Sequence, residues 1–359
     1  MMESVQAVVE NSPVVKMVRN QQFTGRCVDL SVVSETFVDC QFTDMDWINC
    51  QFTHVHFVNC QFKQIKFINC LMSDVSWQDS GLQSIEWQNS TLIDSQMVAC
   101  VANDFSYQQC SLEHPVWMEV NGQHFAFTQT QNKRGLIADC VLERITIQNS
   151  RWLDVSCDGG QLTDVSIQQS EIERFLLSRL QAQHVRLSES HGKNLRWTDC
   201  QITNMVIDHC DLPQSSWALS QVENTQILNS QLALVGFNQS HLTHVVMREV
   251  KMPQAMFDGS KLLNCDLSRL FAPRVSLRNA HLDSVILIEA ILTGIDARGA
   301  VLNQVELANA DCQNGCLFEQ PEALWQVANI AGARFSDDAE VDDSEWWNRV
   351  QPGVKGDLP

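Results

Sequence analysis

Cys40-Gln41-Phe42-Thr43-Asp44-Met45-Asp46-Trp47-Ile48-Asn49-Cys50-Gln51-Phe52-Thr53-His54-Val55-His56-Phe57 puts a bulky apolar side chain at every fifth residue and a smaller one two places before it. Working outward, from Cys27 to Leu317 every residue numbered with a final 2 or 7 is apolar except Gly122, Asn132 and Gly192. The companion positions, ending in 0 or 5, are mostly Cys, Ser, Ala, Val and Ile, and Glu35 is the only charged residue in either series. A period kept over that length describes one elongated repeat unit rather than a pair of globular domains.

Five is the wrong period for the common elements. Apolar residues five apart drift around a 3.6-residue helix and leave no stripe, and in one long strand successive fives fall on opposite faces. A corner in every unit resolves the conflict. The small residue and the bulky residue two places on point inward across a very short strand, while the other three positions turn the corner and face water. Charge placement agrees, since within the repeat Asp, Glu, Lys and Arg, Glu35 aside, fall on those three positions.

With these residues in view the chain resembles the pentapeptide-repeat family, whose units read small residue, Asn or Asp, Leu or Phe, then two variable residues. Ala280-His281-Leu282-Asp283-Ser284 and Ala300-Val301-Leu302-Asn303-Gln304 approach that pattern; Cys50-Gln51-Phe52 and Cys60-Gln61-Phe62 depart from it, with Cys for Ala and Phe for Leu. The resemblance implies an all-β solenoid, a right-handed quadrilateral β-helix with four units per coil. At a spacing of about 4.8 Å that makes about 14 to 15 coils and a rod on the order of 70 Å. The expected organisation is an N-terminal cap over residues 1–25, the pentapeptide-repeat β-helix over 26–318, and a helical C-terminal cap with an acidic tail over 319–359.

Twenty residues then separate stacked neighbours. Phe37, Phe57, Trp77, Met97 and Trp117 are predicted to form one internal column, and Trp47, Phe67, Trp87, Tyr107 and Phe127 another. Positions ending in 0 favour Cys, Ser and Ala and those ending in 5 favour Val, Ile and Met, which predicts two narrow walls and two wider ones. Most of the cysteines, among them Cys40, Cys50, Cys60 and Cys70, sit in the small-residue register and read as reduced core filler, not as a disulfide framework.

Two interruptions stand out: Pro115 to Gly135, with Gly122 and Asn132 and a polar run Thr128 to Arg134, and Phe175 to Leu195, with Ser190-His191-Gly192-Lys193. The register of five resumes after each, so a weak but continuous coil is favoured over an ejected loop. Lys133 and Arg134 are candidate partner contacts because solenoids place binding features on irregular coils. At the start, the valines around Pro13 suggest a short helix and a strand covering the first coil. At the end, Pro321 opens an expected helix over Glu322 to Ala331, and the adjacent Trp346 and Trp347 are the second pair of candidate partner contacts.

No catalytic motif emerges. His54 and His56 flank inward Val55, His241 and His244 occupy different corners of one unit, and Cys312 and Cys316 lack a second pair, so neither a metal nor any other cofactor is expected. The chain offers no run of eighteen apolar residues and no basic segment leading into one, so the expectation is a soluble cytoplasmic protein without a membrane span, with delivery by a machine that reads no signal peptide as the alternative. A net charge of −19 disfavours direct nucleic-acid binding through phosphates.

The reading is a non-enzymatic scaffold or adaptor for protein partners, with a homodimer through the C-terminal helix as one assembly to test. The Cys- and aromatic-rich units resemble those of bacterial members associated with type VI secretion, which implies an accessory role in effector delivery. The rival reading, also from the resemblance, is a DNA-mimicking modulator of DNA gyrase or topoisomerase. It requires acids gathered on one face.

Overall fold

The computed structural model describes residues 16–316 and 329–335, and the chain divides into two compact units, Met1–Gly192 and Lys193–Pro359. In both, neighbouring strands run parallel with partners twenty residues apart, so four five-residue units make one coil.

In the N-terminal unit, Phe37 pairs with Phe57, Phe57 with Trp77, Trp77 with Met97 and Met97 with Trp117. Trp47, Phe67, Trp87, Tyr107 and Phe127 form the second column by the same register. Both expected columns exist. Their rings stack nearly face to face, Trp87 on Tyr107 at 4.6 Å and Tyr107 on Phe127 at 4.9 Å between centroids. Each buried ring removes enough apolar surface to contribute roughly 1.5 to 3 kcal/mol before entropy, and the ring columns take the place of a globular core.

The corners are made by residues numbered with a final 4 or 9, which adopt the left-handed region: Asn49 at φ 53°, His54 at 54°, Asn59 at 53°. Asn and Asp enter this region most readily, and they are frequent here because their short polar side chains bond locally. The corner N–H crosses to the next coil, from Asn49 to the Ile68 carbonyl and from Asn59 to the Gln78 carbonyl, each at 2.9 Å. The small inward residue completes the corner. Cys60 Sγ donates to the Val58 and Phe37 carbonyls, both at 3.4 Å, and Ser150 Oγ donates likewise to the Gln148 and Phe127 carbonyls at 2.8 and 3.2 Å. Thiol and hydroxyl are interchangeable plugs for an otherwise open corner. None of the 14 cysteines is joined in a disulfide, and burial pushes the Cys60, Cys110 and Cys140 thiols up to about 11.

The repeat begins before the residue at which its numbering pattern starts. Lys16–Arg19 pairs with Glu35–Val38 at a spacing of nineteen, and the register shifts to twenty between Phe23 and Gly25. Val18 and Phe23 are therefore inward and buried, although they fall outside the series of twos and sevens. Gly25, at φ 105°, takes up the missing residue. Glu35 is buried at 5% exposure; desolvation raises its carboxyl pKa, against the opposing pull of Lys16.

Both interruptions are coil. Asn121–Thr128, Gln131–Lys133 and Leu136–Gln148 pair in unbroken register with the coils beside them. Gly122 is required: a Cβ there would lie 1.9 Å from the Ala102 carbonyl oxygen and 2.9 Å from the Phe125 ring, which fills the space. Asn132 is buried at 4% exposure with its Oδ1 unbonded. Leu176–Ser178 and Gln181–Ser188 likewise continue the coil of the second interruption.

In the C-terminal unit the strands shrink. Gln221–Glu223, His241–Thr243, Lys261–Leu263, His281–Asp283 and Val301–Asn303 stack in one ladder, and the other faces are held by single parallel bridges such as Lys251 to Phe271 and Phe271 to Ile291. Corners here close through the backbone itself: Ala255 N donates to the Met252 carbonyl at 3.2 Å and Ala280 N to the Leu277 carbonyl at 3.0 Å. With positive φ at the third residue these are type II turns, and Pro253 and Pro273 sit at the second, the place proline prefers.

The expected C-terminal helix needs correction where it is described. Asn329 bridges Glu306 and Arg334 bridges Asp311, a spacing of twenty-three, so Asn329 to Ala331 belong to a coil with its own turn at Gly332. The remainder of that helix, Trp346, Trp347 and residues 1–15 lie outside the described residues.

Candidate interaction surfaces

Because the interior is filled, chemistry is confined to the outward positions, and the twenty-residue register sorts these into columns. Lys133 and Arg134 lie on a regular coil of the N-terminal unit. Lys133 is exposed, with Glu113 and Leu153 as its register neighbours. Arg134 is a corner residue in a charge ladder: its Nη1 donates to His114 Nε2 at 3.0 Å, which leaves the imidazole proton on Nδ1 to be donated to Asp94 at 3.0 Å. The same column continues with Arg174 Nη2 donating to Asp154 at 2.9 Å, a contact that holds the Asp154 carboxyl below the usual range. Lys133 and Arg134 are adjacent, but the structure commits Arg134 to its neighbours in the column.

Pairing across coils is the rule for charge in this unit. His54 contacts Asp74 at 2.7 Å, His124 Asp104 at 3.0 Å, His184 Asp164 at 3.1 Å, and Arg151 Glu171 at 2.8 Å. These exposed pairs contribute little stability individually. Arg151 cancels the charge of Glu171 locally, whereas the His contacts hydrogen-bond their carboxylates in place.

The C-terminal unit presents a different surface. Lys251, Phe271, Ile291 and Asp311 follow one another in one column, and Leu234, Pro253 and Pro273 lie beside it on the same wall. Phe271, Ile291 and Leu234 are 39%, 41% and 41% exposed. The prolines remove the backbone N–H that this turn position otherwise shows to water, so the wall has few free backbone donors, and Gln254 and Arg274 follow Leu234 along its corner. Leu234 also holds φ 60°, a conformation costly for leucine, with an open apolar side chain as the result.

On the neighbouring wall, Asp296 carries an outward number yet is 1% exposed. Arg298 Nη2 donates to its Oδ2 at 2.9 Å and Arg278 Nε also donates to that oxygen. Burial alone would raise the carboxyl, but the two guanidinium contacts outweigh it and hold the pKa below the ordinary value. Sequence periodicity misses this residue because the period reports backbone direction, whereas Arg278 and Arg298, twenty apart, cover the carboxylate from above. Acid at one outward position with arginines two residues after it and eighteen before it is the signal that marks such a lock.

Among the described residues no cluster of three or more His, Cys, Asp or Glu has metal-holding geometry, and no helix is long and apolar enough to cross a membrane.

Two family models match: "Pentapeptide repeat region" over residues 34–115 and "Pentapeptide repeats (8 copies)" over residues 260–304. No curated protein matches. Among solved structures, the chain is similar to full-length QnrB1, a plasmid-mediated fluoroquinolone resistance protein, at 11% identity over 64% of this chain and 99% of that one, with a TM-score of 0.20. It is similar to HetL, a pentapeptide repeat protein involved in heterocyst differentiation regulation from the cyanobacterium Nostoc sp. strain PCC 7120, at 11% identity over 82% and 88%, TM-score 0.17. A mannuronic acid specific polysaccharide family 6 lyase from human gut microbiota aligns at 8% identity over 93% of each chain, TM-score 0.32. With the two family models falling on coils whose inward residues recur every five positions and whose partners recur every twenty, the chain is a pentapeptide-repeat protein.

Proposed function

We propose that the protein is a non-enzymatic scaffold that docks a protein partner on the apolar wall of its C-terminal unit. The observation that carries this reading is the exposure of Leu234, Phe271 and Ile291 on one flat, proline-bearing surface. Exposed apolar patches on monomers mark interaction sites, and a rigid β wall loses little entropy when it is covered. Lys251 and Asp311 border the patch and supply the polar rim that orients a partner. Lys133, Trp346 and Trp347 remain proposed secondary contacts. A cytoplasmic role accessory to effector delivery, of the type VI kind, is the setting suggested by the family resemblance.

The test is a pull-down from the native host with the full chain and with Phe271→Asp and Ile291→Asp combined. The reading expects a stable partner that is lost with the double variant and kept when the residues after Glu319 are removed. Recovery unchanged by the double variant would overturn the placement of the site.

A second reading, a DNA-mimicking modulator of gyrase or topoisomerase, draws on the net charge of −19. The cross-coil pairing of acids with Arg and Lys, as in Arg151–Glu171, Arg174–Asp154 and Lys66–Glu86, works against it, because a mimic needs unpaired acids in a row. A supercoiling assay at micromolar protein tests it: inhibition or protection favours the mimic, and no effect removes it.

A further inference from the structure

One column of the N-terminal unit is built almost wholly of amides: Asn49, Asn69, Asn89, Gln109, Gln129, Asn149 and Gln169, with Asp29 at one end and Glu189 at the other. Its two ends are internally bonded. Asn49 Nδ2 donates to Asp29 at 3.1 Å, Asn69 Nδ2 to Asn49 at 3.2 Å, and Gln169 Nε2 to Glu189 at 2.9 Å. In the middle the ladder is open: the side chains of Asn89, Gln109, Gln129 and Asn149 are exposed and make no hydrogen bond among the described residues. Backbone bonds fix their spacing, from Gln109 N to the Thr128 carbonyl at 2.9 Å and from Gln129 N to the Gln148 carbonyl at 3.0 Å.

The open stretch coincides with a surface groove that Gln109, Gln129, Asn149 and Gln169 line on one side and Gln131 and Arg151 on the other. Arg151 is neutralised by Glu171 at 2.8 Å, so the groove carries no net charge in a chain of −19. Its adjoining column, Gln88, Gln108, Thr128, Gln148 and Gln168, is uncharged as well.

We infer that this groove binds a neutral, linear polysaccharide laid along the coil stack. Each primary amide offers two donors and an acceptor, matching hydroxyls that both donate and accept. The rungs recur at about 4.8 Å, close to the advance of an extended pyranoside chain per sugar. An extended peptide advances by about 3.3 Å per residue and about 6.6 Å between same-side groups, and neither step matches the rungs. A polyanion finds Arg151, the groove's guanidinium, already paired with Glu171, with His191 as the other basic side chain of the lining, and meets an acidic protein.

The test is isothermal titration of the full chain with cellohexaose, laminarihexaose and mannohexaose, with hexagalacturonate as the anionic control and a polyglutamine peptide as the peptide control. The inference expects binding of at least one neutral hexasaccharide, weaker binding of the matching disaccharide, and at least a tenfold loss of affinity in Gln129→Ala combined with Asn149→Ala. Both side chains are exposed, so circular dichroism of that variant is expected to match the parent. No neutral hexasaccharide bound, equal binding of the anionic or peptide control, or affinity unchanged in the double variant would each overturn it.

Discussion

The two units solve the same corner in two ways. In the N-terminal unit, strand runs of eight residues such as Gln41–Ile48 and Gln61–Ile68 carry on past the left-handed corner residue, and a thiol or hydroxyl closes what the backbone leaves open. In the C-terminal unit, three-residue strands alternate with type II turns whose own N–H groups close the corner, and Ala280, Ala290 and Ala300 need no donor. Ring volume alone does not set the difference, since Ser240 N and Ser260 N close the same turn on the Phe237 and Phe257 carbonyls at 3.2 and 3.0 Å. The surfaces differ too: a donor-rich polar skin on the first unit, and a proline-bearing wall on the second.

The strongest way to break this comparison is to remove a ring. Trp87 stacks on Phe67 at 5.5 Å and on Tyr107 at 4.6 Å, so Trp87→Ala is expected to cost about 3 to 5 kcal/mol. Leu262→Ala in the C-terminal unit, with its smaller void, is expected to cost less, about 2 to 3 kcal/mol. Urea unfolding followed by circular dichroism measures both, and equal losses would mean that ring stacking does not distinguish the units.

Next comes the Asp296 lock. Asp296→Asn leaves two arginines against a neutral amide and is expected to destabilise by about 3 kcal/mol at neutral pH. Because the folded-state pKa is depressed, the stabilisation is present above the unfolded value of 3.8 and is lost as pH falls through the folded pKa. The gap in Tm between parent and variant therefore begins to narrow as pH falls below 3.8 and closes only below the folded pKa. A gap that persists into acid would show that the pair is not the source.

Corner chemistry gives a smaller effect. Cys60→Ala removes the thiol donor to the Phe37 carbonyl and a second donor to the Val58 carbonyl, which keeps the Asp39 N–H at 3.1 Å, and is expected to cost about 1 kcal/mol, whereas Cys60→Ser, which restores the donor found at Ser80 in the same column, is expected to cost less. With the thiol pushed up to about 11, Cys60 is neutral at pH 8 and expected to resist alkylation until the protein is unfolded. Equal stability of the Ala and Ser variants would remove the plug argument.

The smallest effect carries the opposite sign. Leu234→Asn relieves a left-handed leucine and is expected to stabilise by about 1 kcal/mol in the same urea experiment, while weakening partner capture by the apolar wall. Loss of stability would mean that the side chain packs more than its exposure suggests.

Most of the architecture was readable from residue numbers. The inward series and the reduced thiols follow from the period of five, since a side chain pointing inward every fifth residue requires short strands with a corner in each unit, while the twenty-residue columns rested on the four-unit coil that the family resemblance implies. The left-handed conformation of the corners was not read from the period, although Asn, Asp, His and Gln recur at the positions ending in 4 and 9 that adopt it. The functional surface was harder to read. Lys133 and Arg134 stand out in sequence because they are charged and adjacent, yet Arg134 is tied to His114 across a coil, while Leu234, Phe271 and Ile291 look like ordinary outward residues until the register places them on one wall.

Periodicity records where each side chain leaves the backbone, and that is local chemistry: apolar at fives, turn-forming between. It carries no information on what stands one coil above or below. The one-residue slip at Gly25 that turns Val18 and Phe23 inward, the arginines that cover Asp296, and the open rungs from Asn89 to Asn149 are all settled by neighbours twenty residues away, by stacking at a distance the linear chain does not express.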